Sequence, residues 1–330
     1  MRPFVYSRVR SLDEAVRAAG EPGAVVLAGG TTLVDLMRLE VMRPRHLVDI
    51  GGLGELRAFD TGGPVLRFGA LANMADVAED PVLARDHPAL TESLRQAASQ
   101  QLRNVATLGG NILQRTRCAY FRDGVSPCNK RSPGTGCAAL TGVNREHAVL
   151  GATDACIAVY PGDWGVALAA FDTEVELVSA HGRRTLPFEH LHRAHGDRPD
   201  LETVLRPGEI VTAITVRATP AGRRSVYLKV RDRASYAFAV ASAAVALEMA
   251  GATVVGARVA VGGVATRPWR SREAEAELTG RPLTEETARS AGRAAFAHAR
   301  ALSGNTAKLR LGPRTVAEAV MLASRKGQDL

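Results

Sequence analysis

The stretch Ala24-Val-Val-Leu-Ala-Gly-Gly-Thr-Thr32 is an apolar run that ends in two glycines and two threonines. The apolar run predicts a short buried strand at residues 24–28, and residues 33–37 continue as a helix. Glycines let backbone N–H groups approach a phosphate, hydroxyl groups add donors, and a helix start adds positive partial charge. The order of these features predicts a small α/β unit with a phosphate-binding turn, although Gly-Gly turns after strands are common.

A second motif of the same kind is Thr107-Leu-Gly-Gly-Asn111, which predicts another Gly-Gly turn flanked by a hydroxyl and an amide. The sequence contains neither Gly-x-Gly-x-x-Gly nor Gly-x-x-x-x-Gly-Lys-Ser/Thr. Their absence argues against Rossmann and P-loop folds.

Composition and charge exclude several classes of function. The chain has 330 residues, of which 46% are hydrophobic, and a formal net charge of +8. Its basic residues are almost all arginines, and they are interleaved with acidic residues without a basic or aromatic stripe. We therefore expect no nucleic-acid partner. No apolar run is long enough to span a membrane, so no membrane span is expected.

The first residues, Met1-Arg-Pro-Phe-Val-Tyr6, lack the apolar core and cleavage pattern of a signal peptide. This pattern predicts a cytoplasmic protein. A periplasmic location would require export together with a partner that carries the signal.

The chain divides into three predicted segments. Residues 1–55 form a first α/β subdomain, residues 56–219 a second subdomain with an insertion at about 113–158, and residues 220–330 a C-terminal α+β domain. Predicted helices cover residues 12–19, 88–97 (extending towards 101), 273–278, 284–301 and 315–325. Strands at residues 225–230, 239–249 and 253–261 predict a three-stranded antiparallel sheet.

All four cysteines of the chain lie within the insertion: Cys118, Cys128, Cys137 and Cys156. Unrelated buried thiols would not cluster in this way, and no signal peptide indicates the oxidising compartment that disulfides need. Zinc and a 4Fe–4S cluster both use four thiolates, but the Cys-x2–4-Cys pairs usual for zinc are absent. Basic residues that would stabilise either metal site lie nearby, namely Arg115, Arg117, Arg122, Lys130 and Arg131. The spacing therefore leaves both metals open.

Several motifs resemble the FAD-binding subunits of the xanthine dehydrogenase and molybdenum hydroxylase family. They are Leu27-Ala-Gly-Gly-Thr-Thr-Leu-Val34, Arg103-Asn-Val-Ala-Thr-Leu-Gly-Gly-Asn-Ile112, Gly162-Asp163 and Leu228-Lys-Val-Arg231. The insertion is similar to that of the FAD subunit of periplasmic-type bacterial aldehyde oxidoreductases, through Gln114-Arg-Thr-Arg-Cys118, Cys128-Asn-Lys-Arg-Ser-Pro-Gly134, Gly136-Cys137 and His147-Ala-Val-Leu-Gly-Ala152. The flavoprotein of 4-hydroxybenzoyl-CoA reductase also has a cluster-bearing insertion. The resemblance thus favours the 4Fe–4S interpretation, with the four cysteines as ligands.

The resemblance also implies the FAD contacts and a PCMH-like fold of two subdomains followed by a C-terminal domain of antiparallel sheet plus helices. The implied FAD contacts are Leu27, Ala28, Gly29, Gly30, Thr31, Thr32, Leu33 and Val34 in the first turn, Thr107, Gly110 and Asn111 in the second, and Asp163, Val211 and Lys229 elsewhere. By itself Asp163 is also a good helix N-cap, and Lys229 is also typical of a solvated strand edge. Ala97 stands where some relatives have an aromatic residue.

The resemblance further implies a heterotrimer that oxidises aldehydes. A large subunit carries the molybdenum cofactor, and a small subunit with two 2Fe–2S clusters delivers electrons to the FAD of this chain, which passes them to an external acceptor. Beyond the flavin, no catalytic residue is then expected on this chain. Two alternatives are a hydroxybenzoyl-CoA reductase-like flavoprotein subunit and a zinc-stabilised, non-enzymatic binding module.

Overall fold

The computed structural model describes residues 1–326. Its first unit is a three-stranded parallel sheet in the order β1-β3-β2. The elements of this unit are β1 (Val5–Arg8), α1 (Leu12–Ala19), β2 (Ala24–Leu27), α2 (Leu33–Arg38) and β3 (His46–Asp49). Helix α1 begins where the sequence predicts, because the Ser11 hydroxyl accepts a hydrogen bond from the backbone N–H of Glu14 at 3.2 Å. The Glu14 carboxylate bonds the N–H of Arg10 rather than that of Ser11.

The second unit is a five-stranded antiparallel sheet in the order β4-β5-β8-β6-β7. Its strands are β4 (Phe59–Asp60), β5 (Val65–Gly69), β6 (Thr173–Ser179), β7 (Gly182–Pro187) and β8 (Ile210–Arg217). Its helices are α3 (Met74–Ala78), α4 (Pro81–Asp86), α5 (Pro88–Arg95), α6 (Gln100–Arg103), α7 (Leu108–Ile112), α8 (Ala119–Arg122) and α9 (Asp163–Ala169). Apart from α8 and one short 3-10 helix, Ala138–Leu140, the segment between α7 and α9 is built of turns and isolated bridges.

The third unit is a four-stranded antiparallel sheet in the order β12-β11-β10-β9, with three helices packed together at its end. The elements are β9 (Ser225–Val230), β10 (Ala241–Ala250), β11 (Thr253–Gly262), β12 (Trp269–Arg270), α10 (Arg272–Leu278), α11 (Glu285–Ala295) and α12 (Lys308–Arg325). This arrangement confirms the predicted fold class, in which two mixed subdomains precede a sheet-plus-helix domain. The three predicted strands are present, and β12 is an additional edge strand.

Three helix boundaries differ from the prediction. Helix α5 ends at Arg95, and Ala98 has a positive φ of 49°, which separates it from α6. Helix α11 ends at Ala295 rather than at residue 301. Helix α12 begins at Lys308 and continues through Pro313, although the sequence Gly312-Pro313 predicts a later start.

Close packing explains why α12 tolerates that proline. A Cβ atom on Gly292 of α11 would lie 2.2 Å from the Pro313 carbonyl oxygen, and a Cβ on Gly312 would lie 2.1 Å from the Phe296 ring. Both glycines let the two helices approach closely enough for packing to offset the lost hydrogen bond.

In residues 1–326, none of the helices combines the length and the apolar character that crossing a bilayer requires.

Candidate functional site

The first Gly-Gly motif forms the turn between β2 and α2, as predicted. Gly30 has a φ of +71°, a conformation that glycine adopts without strain. Residues 27–34 are all partly exposed. Within residues 1–326, the backbone N–H groups of the four consecutive residues 29–32 donate no hydrogen bond. The turn therefore presents a row of free donors, which is what a phosphate group requires.

The structure brings the two glycine motifs together. A Cβ atom on Gly29 would lie 2.1 Å from the carbonyl oxygen of Val105, two residues before Thr107. Glycine is required at position 29 because the two backbones touch there. The free donors of the first motif therefore lie next to the start of the second motif.

The second motif is a helix start rather than the predicted turn. Thr107 is the N-cap of α7, and its hydroxyl oxygen accepts a hydrogen bond from the Gly110 N–H at 3.3 Å. The N–H groups of Leu108 and Gly109 donate to backbone carbonyls of residues 72 and 70. Because these donors are used inside the chain, this motif does not form a second row of free N–H groups.

What the second motif offers instead is side chains and an exposed glycine. The Asn111 amide nitrogen lies 3.3 Å from the Met74 sulfur, and its buried carbonyl oxygen has no hydrogen-bond partner in the described residues. Gly110 is exposed. An unpartnered buried amide oxygen fits a site that a polar ligand completes.

Asp163 and Lys229 form a buried ion pair. The two Asp163 carboxylate oxygens accept hydrogen bonds from the Tyr227 hydroxyl at 2.5 Å and the Lys229 ammonium at 2.8 Å. Lys229 also donates to the Gln96 carbonyl oxygen at 2.9 Å, and its side chain is only 1% exposed. Burial raises the pKa of the Asp163 carboxyl, and the Lys229 charge and the Tyr227 hydrogen bond oppose that rise.

These contacts exclude the two simpler interpretations of the pair. Lys229 is not a solvated lysine at a strand edge. Asp163 is the first residue of α9, whose N-cap is Gly162, and its side chain makes tertiary contacts instead of capping the helix.

Val211 lies on β8 and is buried in the largest apolar core, to which Ala97 also belongs.

The four cysteines line one cavity. All four are free thiols; Cys128 and Cys156 are buried, and the other two are partly exposed. The backbones of Cys128 and Cys137 pair as an isolated antiparallel bridge. The structure thus brings together four unpaired thiols that are up to 38 residues apart in the sequence. We call this cavity the cysteine chamber.

The chamber also contains a histidine that the sequence did not single out as functional. The His147 Nε2 atom lies 3.2 Å from the Cys118 sulfur, and its Nδ1 atom is buried without a partner among the described residues. Burial raises the pKa of Cys118 to about 11 and that of Cys156 to about 12. Buried thiols of this kind ionise when a metal replaces the proton.

The chamber does not have the geometry of a preformed zinc site. Four sulfurs bind one zinc ion at about 2.3 Å each, which places all four close together. In residues 1–326, no three His, Cys, Asp or Glu side chains lie close enough to hold a single metal ion. Four thiolates are the donor set that both a structural zinc ion and a 4Fe–4S cluster use.

The neighbouring basic residues are mostly paired with acidic or carbonyl groups, and Lys130 also lines the chamber. Arg122 binds Asp35 through two hydrogen bonds of 2.6 and 3.1 Å, and Lys130 and Arg115 both pair with Glu202. Arg131 donates to the carbonyl oxygens of Tyr120 and Phe121 on α8. These cations therefore have acidic or carbonyl partners of their own, but the Lys130 charge also opposes the rise in the pKa of Cys156, as a cation that stabilises a thiolate would. Arg117 differs, because the Asp35 carboxylate beside it is already bound by Arg122.

The glycine turn and the cysteine chamber are in contact. Leu36 of α2, directly after the turn, packs against Phe121 and Cys128 in one small apolar core. A second cavity adjoins the chamber, and both are lined by Lys130 and Ala158. The geometry therefore places the glycine turn and a thiol-lined cavity side by side.

Comparison with known proteins is consistent with this pairing. Residues 2–218 match the family described as the FAD binding domain in molybdopterin dehydrogenase, and residues 226–309 match the CO dehydrogenase flavoprotein C-terminal domain. The chain is 44% identical to the aldehyde oxidoreductase FAD-binding subunit PaoB of Escherichia coli (strain K12) over 333 residues, which cover 99% of this chain and 100% of that protein.

More distant relatives share the same architecture. The glyceraldehyde dehydrogenase medium chain of Sulfolobus acidocaldarius is 26% identical over 284 residues, covering 86% of this chain and 83% of that protein. Carbon monoxide dehydrogenase from Hydrogenophaga pseudoflava, in a form that lacks the Mo-pyranopterin moiety, superposes with a TM-score of 0.77 at 27% identity and covers 98% of each chain.

The match of the FAD-binding family spans about two thirds of the sequence, and the similarity to PaoB extends over nearly all of it. The free donors, the orphaned amide of Asn111 and the buried Asp163–Lys229 pair lie within that shared region. The chain therefore belongs to the FAD-binding subunits of the molybdenum hydroxylase family and is an oxidoreductase subunit.

Proposed function

We propose that this chain is the FAD- and 4Fe–4S-carrying electron-transfer subunit of a heterotrimeric, molybdenum-dependent aldehyde oxidoreductase. The observation that carries the proposal is the cysteine chamber next to the glycine turn. The 44% identity to the FAD-binding subunit of an aldehyde oxidoreductase supports the substrate class. The partners are a large subunit with the molybdenum cofactor and a small subunit with 2Fe–2S clusters, as expected for a medium chain.

The residues of the two glycine motifs would hold the FAD. The free N–H groups of residues 29–32 suit the diphosphate, and Asn111 supplies an unpartnered amide oxygen. Bound FAD would supply the conversion between one-electron and two-electron transfer. The buried Lys229 places a fixed positive charge in the same subunit, held by Asp163 and by the Gln96 carbonyl oxygen.

The four cysteines would hold the cluster, which would supply a one-electron redox centre. The four cysteines that line one chamber supply the four thiolates that such a cluster requires. His147 would donate a hydrogen bond to the Cys118 sulfur, and hydrogen bonds to ligand sulfurs raise the reduction potential of such centres. The apolar contacts of Cys128 with Leu36 and Phe121 keep water from that side of the chamber.

The test is metal and flavin analysis of the complex, purified anaerobically with its partner subunits. Replacing Cys128 with serine is expected to remove about four iron and four sulfide per complex, while FAD remains bound. Because the partner clusters also contain iron, the quantity that matters is the difference between wild type and Cys128→Ser. A difference of zero iron, or one zinc ion lost instead, would contradict the 4Fe–4S assignment and leave the FAD assignment standing.

A further inference from the structure

Arg117 is a cation that lacks a partner of its own. Its Nη1 atom is buried and makes no hydrogen bond within residues 1–326. The Asp35 carboxylate lies 4.0 Å away, but that carboxylate is already bound by both nitrogens of Arg122 at 2.6 and 3.1 Å. A partly buried guanidinium without its own counter-ion is costly, so an anion from outside the chain would stabilise it.

The position of Arg117 indicates which anion it meets. Its Nη2 atom lies 3.5 Å from the Thr32 hydroxyl oxygen, and Thr32 is the last of the four residues whose N–H groups are free. The Arg117 guanidinium also lies over the Phe238 ring at 5.5 Å, which restricts its orientation. Backbone donors, a hydroxyl and an oriented guanidinium thus converge, and this donor set is suited to phosphate oxygens.

We propose that Arg117 binds the diphosphate of FAD opposite the glycine turn, so that the cysteine-bearing segment supplies part of the flavin site. The proposal deepens the proposed function, because it requires FAD as the ligand, but it does not depend on which metal the cysteines hold. Arg117 directly precedes Cys118. FAD binding therefore fixes the backbone at the entrance to the cysteine chamber.

The test uses the complex after removal of its flavin, titrated with FAD and with ADP, which carries the diphosphate without the flavin ring. Arg117→Ala is expected to raise the Kd for both ligands by about tenfold or more, the loss typical of one hydrogen-bonded charge. Arg117→Lys keeps the charge but loses the fork of donors, so it is expected to fall between wild type and Arg117→Ala.

Arg145→Ala is the matched control. Arg145 is in the same segment and pairs with Asp232 at 2.9 Å, so it also links the segment to the loop that carries Phe238. It makes no contact with the glycine turn, and its loss is expected to leave both affinities unchanged. Subunit composition and iron content of each variant report whether the complex has assembled normally.

Two results would overturn the proposal. Wild-type affinity of Arg117→Ala for both ligands would remove Arg117 from the site. Weaker FAD binding with unchanged ADP binding would assign Arg117 to the flavin or ribityl part. A wild-type complex without flavin would instead contradict the FAD assignment itself, so the two failures are distinguishable.

Discussion

Gly30 is the residue on which the backbone path of the first turn depends. Its φ of +71° is unfavourable for any residue with a Cβ atom, and an added Cβ would lie 3.1 Å from the Val34 side chain. Gly30→Val is expected to change the direction of the free N–H groups and to lower the FAD content of the purified complex at least about tenfold. Flavin released per chain measures this effect.

Gly182→Val is the control for strain alone. Gly182 also has a positive φ, of 108°, but a Cβ there would meet nothing within 4 Å, and the residue lies at the β6–β7 turn. This variant is expected to lose about 1–3 kcal/mol of stability and to keep its FAD. Equal flavin loss in both variants would mean that strain, and not the shape of the phosphate site, explains the result.

The Asp163–Lys229 pair gives a second prediction at this scale. Removing one partner leaves a buried charge without compensation, so Lys229→Met is expected to destabilise the flavin-free complex by about 3–5 kcal/mol. Adding Asp163→Asn removes the remaining charge and is expected to restore a large part of that loss. Chemical denaturation of the two single variants and the double variant measures the coupling, and strictly additive losses would show that the pair is not coupled.

At the scale of elements, the closeness of α11 and α12 depends on glycine. Gly292→Ala would place a methyl group 2.2 Å from the Pro313 carbonyl oxygen, and it is expected to cost about 1–3 kcal/mol of stability without changing FAD or metal content. Gly20→Ala, at the end of α1, would make ordinary contacts from 3.4 Å and serves as the control. Equal Tm values for both variants would contradict the packing explanation.

Local signals in the sequence were sufficient for some elements and not for others. The serine cap predicted α1 at its observed bounds, because Ser11 lies directly before the first residue of the helix. The start of α12 was missed, because Gly312-Pro313 is a local stop signal that packing against α11 overrides. The end of α5 was missed because Ala98, a good helix former, adopts a positive φ in the folded chain.

The same division applies to the site. The glycine motifs and the four cysteines are recognisable from residue type and spacing. Arg117 and His147 were noted in the sequence only as a nearby cation and as part of a motif. Their contacts with Thr32 and Cys118, which lie 85 and 29 residues away along the chain, required the folded structure. Arginines are also frequent in this sequence. The composition therefore does not indicate which arginine side chain lacks an acidic partner of its own.

At the scale of the whole molecule, buried histidines predict acid lability. Burial lowers the pKa values of His87, His192 and His195 from 6.5 to about 4. Below pH 6.5 the unfolded chain takes up protons at these histidines, whereas the folded chain does not until about pH 4. Unfolding is therefore favoured as the pH falls, and the stability present above pH 6.5 is lost between 6.5 and 4, at up to about 1.4 kcal/mol per pH unit for each histidine.

His87 allows the clearest test of this prediction, because neither ring nitrogen has a hydrogen-bond partner in the described part of the chain. His87→Leu thus removes one titrating group without breaking a hydrogen bond. Between pH 4.5 and 6, the number of protons taken up on unfolding is expected to fall by about one, and the slope of unfolding free energy against pH falls with it. His181 is exposed, and His181→Gln is expected to leave the slope unchanged. Urea denaturation at a series of pH values measures the slopes, and an unchanged slope in His87→Leu would show that His87 does not contribute to the acid lability.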